Sequence, residues 1–325
     1  MLVFDCHSDI WCDVANKRKK GVKRVLSSFH IPRLKKGNIC GVNAAVWVEP
    51  QYSKNPTKRM LEILGSISEE LMELDDGLVI VRNLNDLYRA IQEQNLFIIL
   101  SMEGLSGIEG NLSFITTLYK LGIRIISLTW NEENPFAAGA GCNDPQKGLT
   151  ALGKEAIKKM KELGIILDVS HLNEKSFWDV CEVAEKPFIA SHSNSYRLCP
   201  NKRNLKDEQI KAIAAKGGVI GINAWPEFIH SSDPTLERMI DQVEYMVELA
   251  GIDHVGFGFD FCDYLDDQIK NNLQKDKIPT KKTEGLEDVT QVPAVVKELE
   301  KRGFKPADIE KICKGNFLRI FKEVL

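Results

Sequence analysis

None of the eight cysteines, at 6, 12, 40, 142, 181, 199, 262 and 313, stands in a C-x-x-C pair. Structural zinc knuckles and thioredoxin-like redox sites need such close pairs, so both are disfavoured. Thiols scattered through an ordinary-sized chain fit a reducing compartment better than an oxidising one. A charge excess is missing as well: 43 basic residues face 46 acidic ones, for a formal net charge of −3. A general nucleic-acid binder needs a basic surplus to track phosphates, so no nucleic-acid partner is expected. No apolar run approaches the ~18 residues of a membrane span, so no membrane partner is expected. The opening MLVFDCHSDI lacks the basic start and apolar stretch of a secretory signal, which makes the cytoplasm the expected compartment. G-x-S-x-G, H-E-x-x-H and G-x-G-x-x-G are all absent. GLTALGKE (148–155) comes near a phosphate-binding loop but puts Glu155 where a magnesium-binding hydroxyl is needed, and reads as a helix start.

What remains is a 325-residue chain, 43% hydrophobic and 27% charged, long enough to bury a core without disulfides. Short apolar, β-branched runs recur at about 2–8, 40–48, 96–102, 123–129, 164–170, 187–192, 217–223 and 254–260. Most are apolar on both faces, as in a parallel sheet covered by helices. Helical spacing marks the segments between them, as in 150–163 behind Thr150, in 205–216, and from Thr235 to Leu249. Eight strands alternating with helices predict a (β/α)8 TIM-type barrel, with one domain over 1–325. An open doubly wound sheet is the alternative, weakened by the missing glycine fingerprint. Residues 263–288 are polar and read as a long loop insertion, either solvated or an active-site flap. The basic run at 17–24 reads as a solvated face in the first βα loop.

Chemistry concentrates at the ends of the apolar runs. His7 and Asp9 close the first, Glu103 follows the third, His171 and His192 end the fifth and sixth, and Asp260 ends the eighth. In a barrel these ends converge on one face, where active sites sit. Three imidazoles and three carboxylates are enough for two adjacent divalent metals and a general base. Each residue alone also has a plain structural reading: H-x-D as packing, Glu103 as the partner of an arginine or of backbone donors. Asp168, three residues before His171, reads equally as a partner to a ligand or as a core carboxylate. The other histidines fall outside the cluster. His254 begins the strand that Asp260 ends, roughly 20 Å away. His30 reads as a surface loop residue, and His230 as solvent-facing.

These residues carry a resemblance to the membrane (renal) dipeptidase family of dinuclear zinc peptidases, in particular its soluble bacterial members. It runs through FDCHSD, SMEG, GLTALGKEAIKKMKELGIILDVSH, PFIASHSNSYRLCPNKRNL, GIDHVGFGFDF and CKGNFLRIF, nearly end to end. The resemblance implies a metal-dependent dipeptidase with two Zn2+ per chain, Mn2+ or Co2+ being possible substitutes. His7, Asp9 and Glu103 would hold one ion; Glu103, as the bridge, His171 and His192 would hold the other. The pair would lower the pKa of a shared water, Asp260 would be the acid/base, and Arg203 would bind the terminal carboxylate of a small peptide substrate. A homodimer is a further family expectation. Two departures stand out. Trp130 replaces a histidine found in a Leu-Thr-His context, which puts an indole at the substrate, and Asp260-Phe261-Cys262-Asp263 replaces Asp-Phe-Asp-Gly. The alternatives are an amidohydrolase-type lactonase or deacetylase, or a catalytically silent binding barrel. The H-x-D start and Glu103 favour the dipeptidase over the former, which often begins H-x-H and bridges with a modified lysine.

Overall fold

The computed structural model describes residues 1–74, 77–265 and 282–325. Among the described residues, nine strands form one parallel sheet: β1 (Val3–Ser8), β2 (Ile39–Trp47), β3 (Leu78–Ile80), β4 (Leu96–Glu103), β5 (Ile123–Ser127), β6 (Ile166–Asp168), β7 (Ile189–Ala190), β8 (Val219–Ile222) and β9 (Val255–Phe257). Eight follow one path, β1-β2-β4-β5-β6-β7-β8-β9, while β3 pairs with the first half of β4. Parallel neighbours need crossover connections, and helices supply them. The architecture is the expected (β/α)8 barrel. Strand β3 escaped the sequence reading because three residues carry no periodicity.

Helix ends follow local chemistry. Thr150 caps Ala151–Leu163 by accepting the Gly153 N–H at 3.0 Å, and Gly164, at φ 71°, ends that helix in the left-handed region that favours glycine. Asn173 and Thr235 cap Glu174–Val183 and Leu236–Ala250 in the same way. The first helix, Ile10–Lys19, starts directly after Asp9, so the basic run 17–24 is not wholly a solvated loop. Arg18 bonds Glu69, Glu70 and Glu73, with a side chain only 9% exposed. Of the insertion at 263–288, residues 266–281 lie outside the described residues; at its start, Asp263 accepts a bond from Arg33 at 2.5 Å.

An apolar layer takes Phe4 and Cys6 from β1, Phe97 and Ile99 from β4, and Ile125, Ile166, Ile189 and Val219 from the next four strands. Phe317 and Phe321, from helix Asn316–Val324, pack against it. Along β4 the alternation that buries Phe97 and Ile99 continues through Ser101 to Glu103, so the carboxylate rises from the apolar layer on the same face.

Strands β6 and β7 are shorter than their apolar runs for a shared reason. The Asp168 carboxylate accepts the N–H groups of Ser170 and Ser191, both at 2.9 Å, and Ser170 Oγ accepts that of His192 at 3.1 Å. Side chains replace the ladder there, and the backbone turns to deliver His171 and His192. The seam between β1 and β9 is joined similarly. Phe259 N–H donates to Asp5 Oδ1 at 2.9 Å, and Asp260 N–H to the His7 carbonyl at 3.4 Å.

Candidate metal centre and active site

All six strand-end residues meet at the mouth of the barrel. The Nε2 atom of His7 lies 3.6 Å from Glu103 and 3.7 Å from both Asp9 and Asp260. Glu103 Oε1 lies 2.8 Å from His171 Nε2 and 3.4 Å from His192 Nε2. Ligand atoms of His7, Glu103 and His192 fall within 4.8 Å of one another, and so do those of His7, Asp9 and Asp260. The second compact group includes Asp260, where the sequence reading placed Glu103 with His7 and Asp9.

The hydrogen bonds decide where the protons are. His171 Nδ1 meets Asn131 Oδ1 at 2.9 Å, and an amide oxygen only accepts, so the proton sits on Nδ1. Ser191 Oγ donates its proton to Asp168 Oδ2 at 2.5 Å and therefore accepts from His192 Nδ1 at 2.7 Å. Both rings thus turn Nε2 lone pairs inward, 2.8 Å from each other and beside a carboxylate oxygen. Three acceptors facing one another repel unless a proton, as on the Glu103 carboxyl that burial favours, or a cation lies among them. His7 Nε2 and Asp9 Oδ1 are also buried without a hydrogen-bond partner. Imidazoles and carboxylates are donors suited to zinc and similar divalent ions, so the residues present fit such a group.

Protonation follows burial and charge. Burial pushes His171 and His192 well below the usual imidazole range, with Arg203 and His7 adding to it, so both rings are neutral. For His7 burial works the same way, but Glu103, Asp9 and Asp260 outweigh it and raise it to about 10. Burial also raises Glu103 well above the carboxylate range, and Asp260 to about 6. Asp260 is steadied by Asn223, whose Nδ2 donates to it at 3.1 Å, and Cys262 Sγ lies 3.8 Å from its Oδ1. Both His171 (φ 71°) and Asp260 (φ 61°) hold left-handed backbone conformations that non-glycine residues rarely adopt, a strain found where a side chain must be aimed.

A cavity of about 390 Å3 opens over this cluster. Asp9, Glu103, His171 and Asp260 form part of its lining, together with Arg203 and Trp130. Arg203 is 6% exposed; Nη2 donates to the His192 carbonyl at 3.4 Å, and Nε has no partner. Burial lowers its pKa to about 10 against the pull of Asp260 and Glu103. The Trp130 ring lies 5.8 Å from that of His171.

His254 stands away from the cluster, against the Gly218 carbonyl, and His230 accepts N–H bonds in its own turn. His30 corrects the sequence reading: it is buried, 2.8 Å from Asp13. Asp168 acts on His192 through Ser191. Sequence reasoning missed Ser191, Asn131, Asn223, Trp47 and Asp5. Asn223 ends GVIGIN, and Asp5 precedes His7 by two residues, so strand-end placement was an available signal for both. A serine or asparagine beside a histidine carries none.

Comparison with known proteins bears on the family and the fold. The sequence model of the membrane dipeptidase family (peptidase family M19) matches residues 1–325. An uncharacterised protein from the pqqA 5' region of Klebsiella pneumoniae is 34% identical over 249 residues, 74% of this chain and 86% of its own. Dipeptidase tcpJ of Claviceps purpurea is 28% identical over 94% of this chain and 72% of its own. A Rhodobacter sphaeroides metallopeptidase, solved with a phosphinate mimic of L-Ala-D-Ala, superposes with TM-score 0.86 at 22% identity, covering 100% of this chain and 99% of its own. The last likeness speaks to the fold alone. No helix among the described residues is long and apolar enough to cross a membrane.

Proposed function

This chain belongs to the membrane dipeptidase family and is a metal-dependent dipeptidase; from that premise we propose which residues carry the reaction. His7, Asp9, Glu103, His171 and His192 would hold two divalent ions, zinc by preference, Glu103 standing near both His7 and the His171–His192 pair. The observation that supports this most is the pair of inward Nε2 lone pairs beside Glu103. Bound there, two such ions supply Lewis acidity, polarising the scissile carbonyl and lowering the pKa of a water.

The chain's own residues do the rest. Arg203 pairs with the C-terminal carboxylate of the substrate, which sets the distance from that end to the scissile bond and restricts substrates to two residues. Asp260 takes a proton from the attacking water and returns it to the leaving amine; Asn223 keeps the carboxylate turned toward the cluster. Asn131 and Ser191 hold His171 and His192 in the tautomer that leaves Nε2 free. Trp130 walls the cavity beside His171. The L-Ala-D-Ala mimic on the Rhodobacter protein supports substrates with a D-residue on the C-terminal side.

The test is amino-acid release from L–L and L–D dipeptides, with added zinc, before and after chelation. Cleavage that chelator abolishes, and that fails on tripeptides and amidated dipeptides, is the expected result. Equal cleavage of amidated analogues removes Arg203 from substrate recognition.

A further inference from the structure

Aromatic side chains line the cavity in two arcs. The strand order places Trp47, at the end of β2, and Trp130, just past β5, on one side of the barrel mouth with Glu103 between them. Trp225 and Phe228, past β8, lie on the opposite side with Arg203, whose guanidinium carbon is 5.6 Å from the Phe228 ring centre. The rings of Trp47 and Trp130 are 5.4 Å apart at 48°; Trp47 is 3% exposed and the half-buried Trp130 packed near it presents most of the free indole face. Trp47 is register partner to Glu103, so this surface begins directly beside the proposed bridging carboxylate.

The wall is held rigidly. Gly104, at φ 80°, packs so closely that a Cβ there would stand 2.8 Å from the Trp130 nitrogen, and one on Gly139 would stand 2.3 Å from its carbonyl oxygen. Glycines on both sides therefore clamp the Trp130 backbone. Gly139 and Gly141 donate N–H bonds to the carbonyls of Glu132 and Asn131, which fixes the following residues too. A preformed apolar surface costs little ordering on binding, and so discriminates by the area a ligand covers.

With the substrate's carboxylate on Arg203 and its scissile carbonyl over Glu103, the N-terminal residue must extend across the mouth to the β2–β5 side. We propose that the Trp47–Trp130 wall reads the side chain of that residue and makes the enzyme selective for large apolar and aromatic groups there. This rests on the Arg203 assignment made above. Each methylene that such a pocket covers is worth roughly tenfold or more in kcat/KM.

The experiment uses the zinc-loaded full chain on two series, X-Ala with X as Gly, Ala, Leu or Phe, and Ala-X with the same residues. In the wild type, Phe-Ala is expected to exceed Ala-Ala by at least about tenfold in kcat/KM, with a shallower slope in the Ala-X series. Trp130→Leu, which keeps an apolar side chain in the clamped segment, should compress the Phe-Ala to Ala-Ala ratio to about threefold or less; Trp130→Ala should compress it further. A flat X-Ala series overturns the proposal on wild-type protein alone, even if neither variant folds. A steep Ala-X series beside a flat X-Ala series places the selection on the Trp225 side and overturns it too. Cleavage of X-Ala and amidated X-Ala at equal rates, with X selection intact, would sink the Arg203 reading while leaving the wall. No release from any dipeptide would overturn both.

Discussion

Replacing Ser191 with alanine should weaken metal binding without touching a single ligand. The hydroxyl sits between the Asp168 carboxylate, at 2.5 Å, and His192 Nδ1, at 2.7 Å. Its removal leaves a buried ring N–H unpaired on a histidine that is 1% exposed. An unpaired buried donor costs about 1–3 kcal/mol. The imidazole is then also free to carry its proton on Nε2, where the metal must bind. Loss of such a partner typically lowers metal affinity about 10–100-fold, which corresponds to about 1.4–2.7 kcal/mol, in line with the unpaired-donor cost. Asp168 keeps its two backbone N–H partners, so the turn itself should survive. The assay is competition for zinc between the refilled apo-protein and a chromogenic chelator, with thermal melting of the apo form as the fold control. Ser170→Ala is the matched comparison: its hydroxyl is equally buried but accepts from the backbone N–H of His192, at 3.1 Å, rather than from its ring. If Ser191→Ala binds zinc as tightly as wild type, or if Ser170→Ala loses as much affinity, the tautomer argument is wrong.

Three further outcomes are expected. Glu103→Gln should lower the bound metal measured by elemental analysis, since the amide loses the charge facing His171 and His192; two ions retained would count against a shared carboxylate. Asp260→Asn should keep its metal while losing most of kcat, about 10²–10⁴-fold for a general acid–base group, and unchanged turnover would remove it from the mechanism. Away from the site, Arg59 and Glu49 form a buried two-bond pair at 2.7 and 2.6 Å, both 1% exposed or less. Breaking it with Arg59→Ala should cost about 3–5 kcal/mol in urea unfolding, whereas Arg59→Met with Glu49→Leu should cost less than the single change.

The barrel and the residues that meet at its mouth were legible because their signals are local. An apolar run that stops at a histidine or a carboxylate announces both the strand and the residue aimed from its end, as at Glu103 and His192. What the sequence hid depends on partners brought together by folding. His30 looks like a loop residue because Asp13, its partner, lies seventeen positions away on the first helix. Ser191 is an ordinary serine until Asp168 orients its hydroxyl. Trp47 reads as one more apolar residue of β2, and only its register with Glu103 reveals that its ring reaches the cavity. The shortening of β6 and β7 was invisible because a side chain, rather than a main-chain group, replaces the ladder there.

One carboxylate has a consequence for the whole barrel. Asp5 accepts the His7 N–H at 3.2 Å and the Phe259 N–H at 2.9 Å through the same oxygen. The latch that shuts the cylinder is therefore also the mount of His7. Separating β1 from β9 would remove the Phe259 N–H from the oxygen that also accepts the His7 N–H. If His7 holds metal as proposed, removing the metal should raise hydrogen exchange at the Phe259 amide, which shares the Asp5 oxygen with the His7 N–H.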